Sequence, residues 1–307
     1  MSKTVLLTGA SGFIGSYVLT KLLTENYHVI ALTHSNHIIP SVSNAHLKII
    51  PTDISDEGMI SMILSKVQQC DCLVHLAANI SLTGSCETIY VNCLGTYHLI
   101  CLANQLSVKK FIYLSSIPVI GTPEFLPITE THPVHPESLY HITKYMGEQM
   151  LFSLCPPAMK KIVLRIPSPI GIGMNPNNYL SFLLRKCFQS ETIDVYGQGL
   201  RTQNYIDVRD VADAISHALI FGTSGLFLIA GEKSITNKDL AFLCKEITHS
   251  ASPIIFGAKA DPEEEKQWII STQKAAHQLY FSPKYSLTDT LSWICDTITT
   301  DDRRETK

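Results

Sequence analysis

A tyrosine and a lysine stand four residues apart in "YHITK", Tyr140 to Lys144, and share one face if the segment is helical. An ammonium group beside a phenol favours the phenolate. Lys144 would therefore lower the Tyr140 pKa and make the phenol usable for proton transfer near neutral pH. Taken alone, such a pair is as readily a surface contact. It gains chemical meaning from "TVLLTGASGFIGSYVLTKLL" near the amino terminus, where Gly9, Gly12 and Gly15 stand three apart between an apolar run and a helix-like one. Without a Cβ, Gly9 can turn sharply, Gly12 can admit a pyrophosphate to the backbone, and Gly15 can let the helix pack closely on the strand. The helix start offers free N–H groups and a positive dipole end to phosphates. A glycine triplet by itself is weak; the order strand, glycines, helix is what makes it a dinucleotide motif.

These residues need elements to position them. "TVLLTG", "HVIALT", "LKIIPTD", "CLVHLAA", "KFIYLSS" and "KIVLRIP" are short, apolar and rich in β-formers, with amphipathic stretches such as "SYVLTKLL" and "GTYHLICLANQL" between them. Apolar strands alternating with helices predict an α/β fold, a doubly wound parallel sheet covered on both faces. After residue 166 the alternation weakens and Pro-, Gly- and Asn-rich loops appear. The expected organisation is a dinucleotide-binding domain over 1–165, a smaller substrate-binding lobe over 166–307, and a return to the first domain at about 195–222. "DDRRETK" reads as a solvated end.

Composition sets bounds on function. The chain has 307 residues, 45% of them apolar, and a formal net charge of −3. That balance offers no basic field for nucleic acid or an acidic membrane face. No apolar run approaches the roughly 18 residues of a membrane span, and no signal-peptide pattern is visible. The nine cysteines, an odd number in a long chain, read as free thiols in a reducing cytoplasm. Cys70 and Cys72 lack a second pair for a metal, and His132 with His135 lack further ligands, so no metal site is expected.

The motifs together resemble an extended short-chain dehydrogenase/reductase of the NAD-dependent epimerase/dehydratase branch, over nearly the whole chain. "TGASGFIG" resembles that family's cofactor loop, which implies contacts from Gly9, Ser11, Gly12, Phe13, Ile14 and Gly15. "PTDIS" resembles the segment at the adenine, with Asp53 and Ile54, and "HLAA" the strand end along the cofactor, with Leu76, Ala77 and Ala78. "VNCLGT" carries the family's helix asparagine at Asn92. "LRIPSPIG" resembles the nicotinamide-side loop, with Pro167 toward the cofactor and Ser168 toward the substrate. In "YLSSIPVIG" the catalytic hydroxyl lies five residues before the glycine, which implies Ser116, with Ser115 as the structural hydroxyl. Tyr140 and Lys144 complete a proton-transfer trio and also border the cofactor. The resemblance implies a Rossmann fold, NAD or NADP, a nucleotide-sugar substrate and a homodimer formed through helices near 86–107 and 138–153.

Departures from the family pattern narrow the reaction. Family dehydratases carry Asp-Glu directly after the catalytic Thr, whereas Ile117 and Pro118 follow Ser116 here. This leaves 4-epimerisation as the first expectation, reduction of a keto-sugar or another small ketone as the alternative, and a non-catalytic dinucleotide-binding protein as the third. The second strand ends in Thr33 and His34, with no acid to repel a 2′-phosphate, which leans toward NADP. Gln203 and Asn204 occupy the places of the Arg-Asp that precedes the aromatic in the late family signature. Arg201, two residues earlier on an extended segment, faces the same side and can substitute. A second family Arg is expected between 255 and 268, where only Lys259 and Lys266 occur. Arg185 is the further substrate candidate, and "DPEEEK" reads as a solvated acidic turn or helix start.

Overall fold

The computed structural model describes residues 3–34, 45–81 and 84–305. The first half runs β1 (Thr4–Thr8), α1 (Phe13–Thr24), β2 (His28–Thr33), β3 (Leu47–Pro51), α2 (Met59–Lys66), β4 (Cys72–His75), α3 (Cys86–Ile89), α4 (Gly95–Gln105), β5 (Lys110–Ser116), α5 (Leu139–Leu154) and β6 (Lys160–Ile166). The second half runs β7 (Ser168–Ile170), α6 (Tyr179–Phe188), β8 (Ile193–Val195), β9 (Thr202–Asp207), α7 (Val208–Phe221), β10 (Gly225–Leu228), β11 (Ser234–Thr236), α8 (Asn237–Ile247), β12 (Ile254–Phe256), α9 (Gln273–Leu279) and α10 (Leu287–Glu305).

Seven strands form one parallel sheet in the order β10-β6-β5-β4-β1-β2-β3. The six runs expected from the sequence are its first six strands. The seventh, β10, was not anticipated: "GLFL" is four residues long with no turn signature after it, and only its pairing with β6 makes it a strand. The large sheet therefore draws on the second half beyond the anticipated return at 195–222. Side chains alternate along each strand, so Val5 and Leu7 bury against α1 and α7 while Leu6 buries against the helices of the opposite face. Each such aliphatic side chain contributes roughly 1.5–3 kcal/mol by leaving water.

The strand order reverses beside β1, which has β2 on one side and β4 on the other. In open α/β sheets the ligand crevice lies at such a switch point, at the carboxyl ends of the strands. The smaller lobe holds the sheets β11-β9-β7 and β12-β8 around a separate core of Leu180, Leu183, Leu184, Val195, Leu240 and Leu291. A fourth cluster, with Ile117, Ile120, Ile128, Leu228 and Trp268, joins the two lobes. The helix expected near 86–107 is interrupted by a π-helical turn at Tyr90–Leu94. Such turns insert one residue and re-aim a side chain, here that of Asn92.

Candidate active site

The glycine loop is shaped as a cradle that a side chain would fill. Gly9 has φ +72, and a Cβ there would lie 2.7 Å from the Ala77 nitrogen. A Cβ on Gly15 would lie 1.8 Å from the Gly9 carbonyl oxygen, so α1 starts directly against the turn that leaves β1. Gly12 is the N-cap of α1 and supplies no side-chain acceptor to the first-turn N–H groups. Those donors and the positive end of the helix dipole suit a diphosphate. Ser11, Phe13 and Ile14, half-buried, complete the loop.

The facing wall is held by a buried hydrogen-bond chain. Thr8 Oγ1 accepts from the Leu76 and Ala77 amides, both at 3.2 Å, and lies 2.8 Å from His75 Nδ1. His75 Nε2 lies 2.9 Å from Thr96 Oγ1, which donates to the Asn92 carbonyl at 2.6 Å. Thr96 spends its proton on that carbonyl, so it accepts from His75 Nε2–H, and Thr8 donates to Nδ1. His75 is therefore the neutral Nε2–H tautomer, in keeping with burial that holds its pKa well below the ordinary histidine value. Ala78 continues this wall.

The other cofactor candidates are distributed around the crevice. Thr33 is buried at the end of β2 and His34 is exposed beyond it; Ser35 and Asn36 lie outside the described residues. Asp53 accepts from the Ser55 amide at 2.9 Å and hydroxyl at 2.7 Å, which lowers its pKa. Ile54 packs into the core against α4 rather than into the crevice. Asn92 is 1% exposed and fully engaged: it accepts from the Asn79 amide and donates to the Asn79 carbonyl and Thr143 Oγ1. Its side chain ties the exit of β4 to α5, so it acts on the crevice through those elements.

β5 and α5 carry the proton-transfer candidates. Ser115 and Ser116 point to opposite faces at the end of β5. Ser115 donates to Glu148 Oε1 at 2.5 Å, while Ser116 is half-buried and its hydroxyl has no hydrogen-bond partner among the described residues. Ser138 caps α5 by accepting from the His141 amide at 3.3 Å. Tyr140, Lys144 and Glu148 then recur every four residues along the helix. The Lys144 ammonium lies 4.1 Å from the centroid of the Tyr113 ring. Arg165 grips Glu148 through two bonds, at 2.9 and 2.6 Å, and both side chains are almost wholly buried.

One electrostatic expectation is reversed. Lys144 was expected to lower the Tyr140 pKa, yet burial dominates both groups. It pushes the Tyr140 phenol up to about 12 and the Lys144 ammonium down to about 7. Removing either charge from water costs more than their mutual attraction returns, so the fold alone favours both neutral forms.

On the substrate side a cavity of about 790 Å³ opens between Thr122–Leu126 and Asp261–Gln267. Arg201 is ion-paired with Glu263, and its buried Nε has no partner among the described residues. Lys266 bridges Glu263 at 2.9 Å and Glu137 at 3.3 Å. Glu137 also accepts from the Thr122 amide and hydroxyl, three residues before Tyr140. Asn204 is occupied with Gly231 and Ser234, so it is a structural residue. Arg185 sits on the exposed face of α6 beside Phe182, and Ser168 is exposed at the start of β7, just after Pro167. His132 is buried and turned into its own loop, accepting from the Glu124 amide at 3.0 Å.

"DPEEEK" is not a merely solvated turn: Glu264 accepts from the Gln198 and Leu200 amides, and Glu263 bridges two cations. Sequence reasoning missed Glu137, Glu148 and Glu263. Glu148 had a spacing signal, one further turn beyond Lys144. Glu263 had Lys266 three residues on, but its pairing with Arg201, 62 residues away, and that of Glu137 with Lys266, 129 away, are made only by the fold.

A family model described as "NAD dependent epimerase/dehydratase family" matches residues 5–229. The chain is 27% identical to a putative UDP-glucose 4-epimerase of Methanocaldococcus jannaschii, over 92% of this chain and 94% of that one. It is likewise 27% identical to the dTDP-D-glucose 4,6-dehydratase of Homo sapiens, over 92% of this chain and 86% of that protein. The structure of a UDP-glucose 4-epimerase from Thermotoga maritima with UDP-glucose superposes with a TM-score of 0.86, at 27% identity, covering 97% of this chain and 99% of that one.

Proposed function

The chain belongs to the NAD-dependent epimerase/dehydratase family, and from that premise we propose that it is a nucleotide-sugar 4-epimerase that retains its dinucleotide. Gly9, Ser11, Gly12, Phe13, Ile14 and Gly15 would hold the pyrophosphate, with Asp53 toward the adenine and Ala77, Ala78 and Pro167 along the remainder. The bound dinucleotide supplies the acceptor and donor of hydride. Tyr140, once its phenol is ionised, takes the proton of the sugar 4-hydroxyl and returns it. The unpartnered hydroxyl of Ser116 donates a hydrogen bond to the same oxygen, stabilising charge as it develops. Lys144, one helical turn on, is the group whose protonated form would stabilise the Tyr140 phenolate, although burial lowers its pKa to about 7.

The observation that carries this reading is the conjunction of that trio with an apolar neighbour. Ile117 is wholly buried and Pro118 follows it in a short turn, so the acid and base that elimination of water requires are missing after Ser116. The reading is tested by offering the purified protein UDP-glucose or UDP-galactose without added cofactor, and by denaturing it to identify the released nucleotide by mass. Interconversion with stoichiometric NAD supports the epimerase. An empty protein that binds NADPH more tightly than NADH, as the missing carboxylate at Thr33 and His34 permits, points instead to a keto-sugar reductase.

We propose further that two copies pair through α4 and α5. Tyr90 and Leu94 in the π-helical turn, Tyr97 on α4, and Ile142 and Met146 on α5 are 38–55% exposed on adjacent helices. Among the described residues no helix is long and apolar enough to cross a membrane. The nine cysteines are free thiols, which suits the cytoplasm.

A further inference from the structure

We infer that Glu263 is a specificity-determining residue, an internal carboxylate that occupies the cations a substrate diphosphate needs. The inference rests on the nucleotide-sugar reading of the same site. One oxygen of Glu263 engages Arg201 and the other engages Lys266 at 2.9 Å. Arg201 is the residue named above as able to substitute for a family arginine, and Lys266 is one of the two lysines in the stretch where the second is expected. Lys266 is only 8% exposed and is also held by Glu137 across the cavity at 3.3 Å. The cavity wall adds Glu124, Asp261, Glu264 and Glu265, so its sign is negative before any ligand arrives.

A diphosphate entering this cavity meets Glu263 and Lys266 on its wall, and must displace Glu263 to reach Lys266 and the Arg201 with which Glu263 is paired. Arg201 retains one buried donor, Nε, without a partner among the described residues, so a phosphate oxygen there gains a bond that Glu263 does not provide. Binding is therefore an exchange of one anion for another on Arg201 and Lys266. Glu263 sets its cost, and this weakens anionic ligands while leaving neutral ones untouched.

The test is calorimetric titration of the dinucleotide-loaded full chain with UDP, and separately with uridine, for the wild type, Glu263→Gln, Glu263→Ala and Arg201→Ala. The expected result is a UDP Kd lowered roughly fivefold in both Glu263 variants, the scale of one partly exposed ion pair, with uridine affinity unchanged. Arg201→Ala should weaken UDP. If Arg201→Ala weakens UDP but the Glu263 variants leave it unchanged or weaken it, Glu263 is a positioning residue and the inference is overturned. Equal tightening of uridine overturns it also, because charge would not be the cause. UDP binding that is absent throughout, or insensitive to Arg201, instead removes the nucleotide-sugar reading on which the inference stands.

Discussion

Tyr140 and Lys144 share a low-dielectric pocket that moves their pKa values apart, to about 12 and about 7. Replacing Tyr140 by Phe removes the proton carrier and keeps the ring. Turnover should fall by about 10²–10⁴-fold while the dinucleotide stays bound, which an activity assay and mass analysis of the denatured variant check together. Lys144 adds a signature in stability. Its unfolded pKa is near 10.4, so between pH 7 and 10 the unfolded chain binds a proton that the folded chain does not. The contribution of Lys144 to folding stability then rises with pH across that window, by about 1.4 kcal/mol per pH unit at most. Lys144→Met should lose this rise, as urea unfolding at pH 7 and pH 9.5 would reveal. Parallel curves for the two proteins would show that Lys144 keeps an ordinary pKa.

At the scale of elements, the site depends on how α1 and α5 abut the sheet. α5 is anchored by Glu148, which Ser115 of β5 and Arg165 of β6 hold from below. Glu148→Ala leaves Arg165 buried and unpaired and should cost about 3–5 kcal/mol, measured as a lower urea midpoint. Replacing both Glu148 and Arg165 by apolar residues should recover part of that loss. α1 is seated through Gly15, where an added methyl would meet the Gly9 carbonyl at 1.8 Å. Gly15→Ala should displace the helix start, destabilise by about 1–3 kcal/mol and release the dinucleotide. Retained dinucleotide in that variant would remove the glycine loop from the cofactor site.

At the scale of the whole molecule, the proposed pairing of two copies is tested on Tyr97 and Met146, 45% and 48% exposed on neighbouring helices. A Tyr97→Asp, Met146→Asp double variant should sediment as a folded monomer while the wild type sediments as a dimer; identical sedimentation would remove this face from the interface.

The six apolar runs of the parallel sheet, the glycine loop and the Tyr-Lys pair were legible in the sequence, because each depends on neighbours within one turn or one strand. Their meaning as one family was legible for the same reason, since the motifs are contiguous. What only the tertiary structure decided depends on partners far apart in the chain. β10 is a strand because β6 lies beside it, and the partner of the Ser115 hydroxyl is Glu148, which Arg165 holds in turn. Burial outweighs the attraction between Tyr140 and Lys144 because the fold dries the pocket around both groups. Arg201 and Lys266 were legible as cations. Glu263 stands three residues before Lys266, but that it also pairs with Arg201 follows from long-range geometry, which residue order does not encode locally.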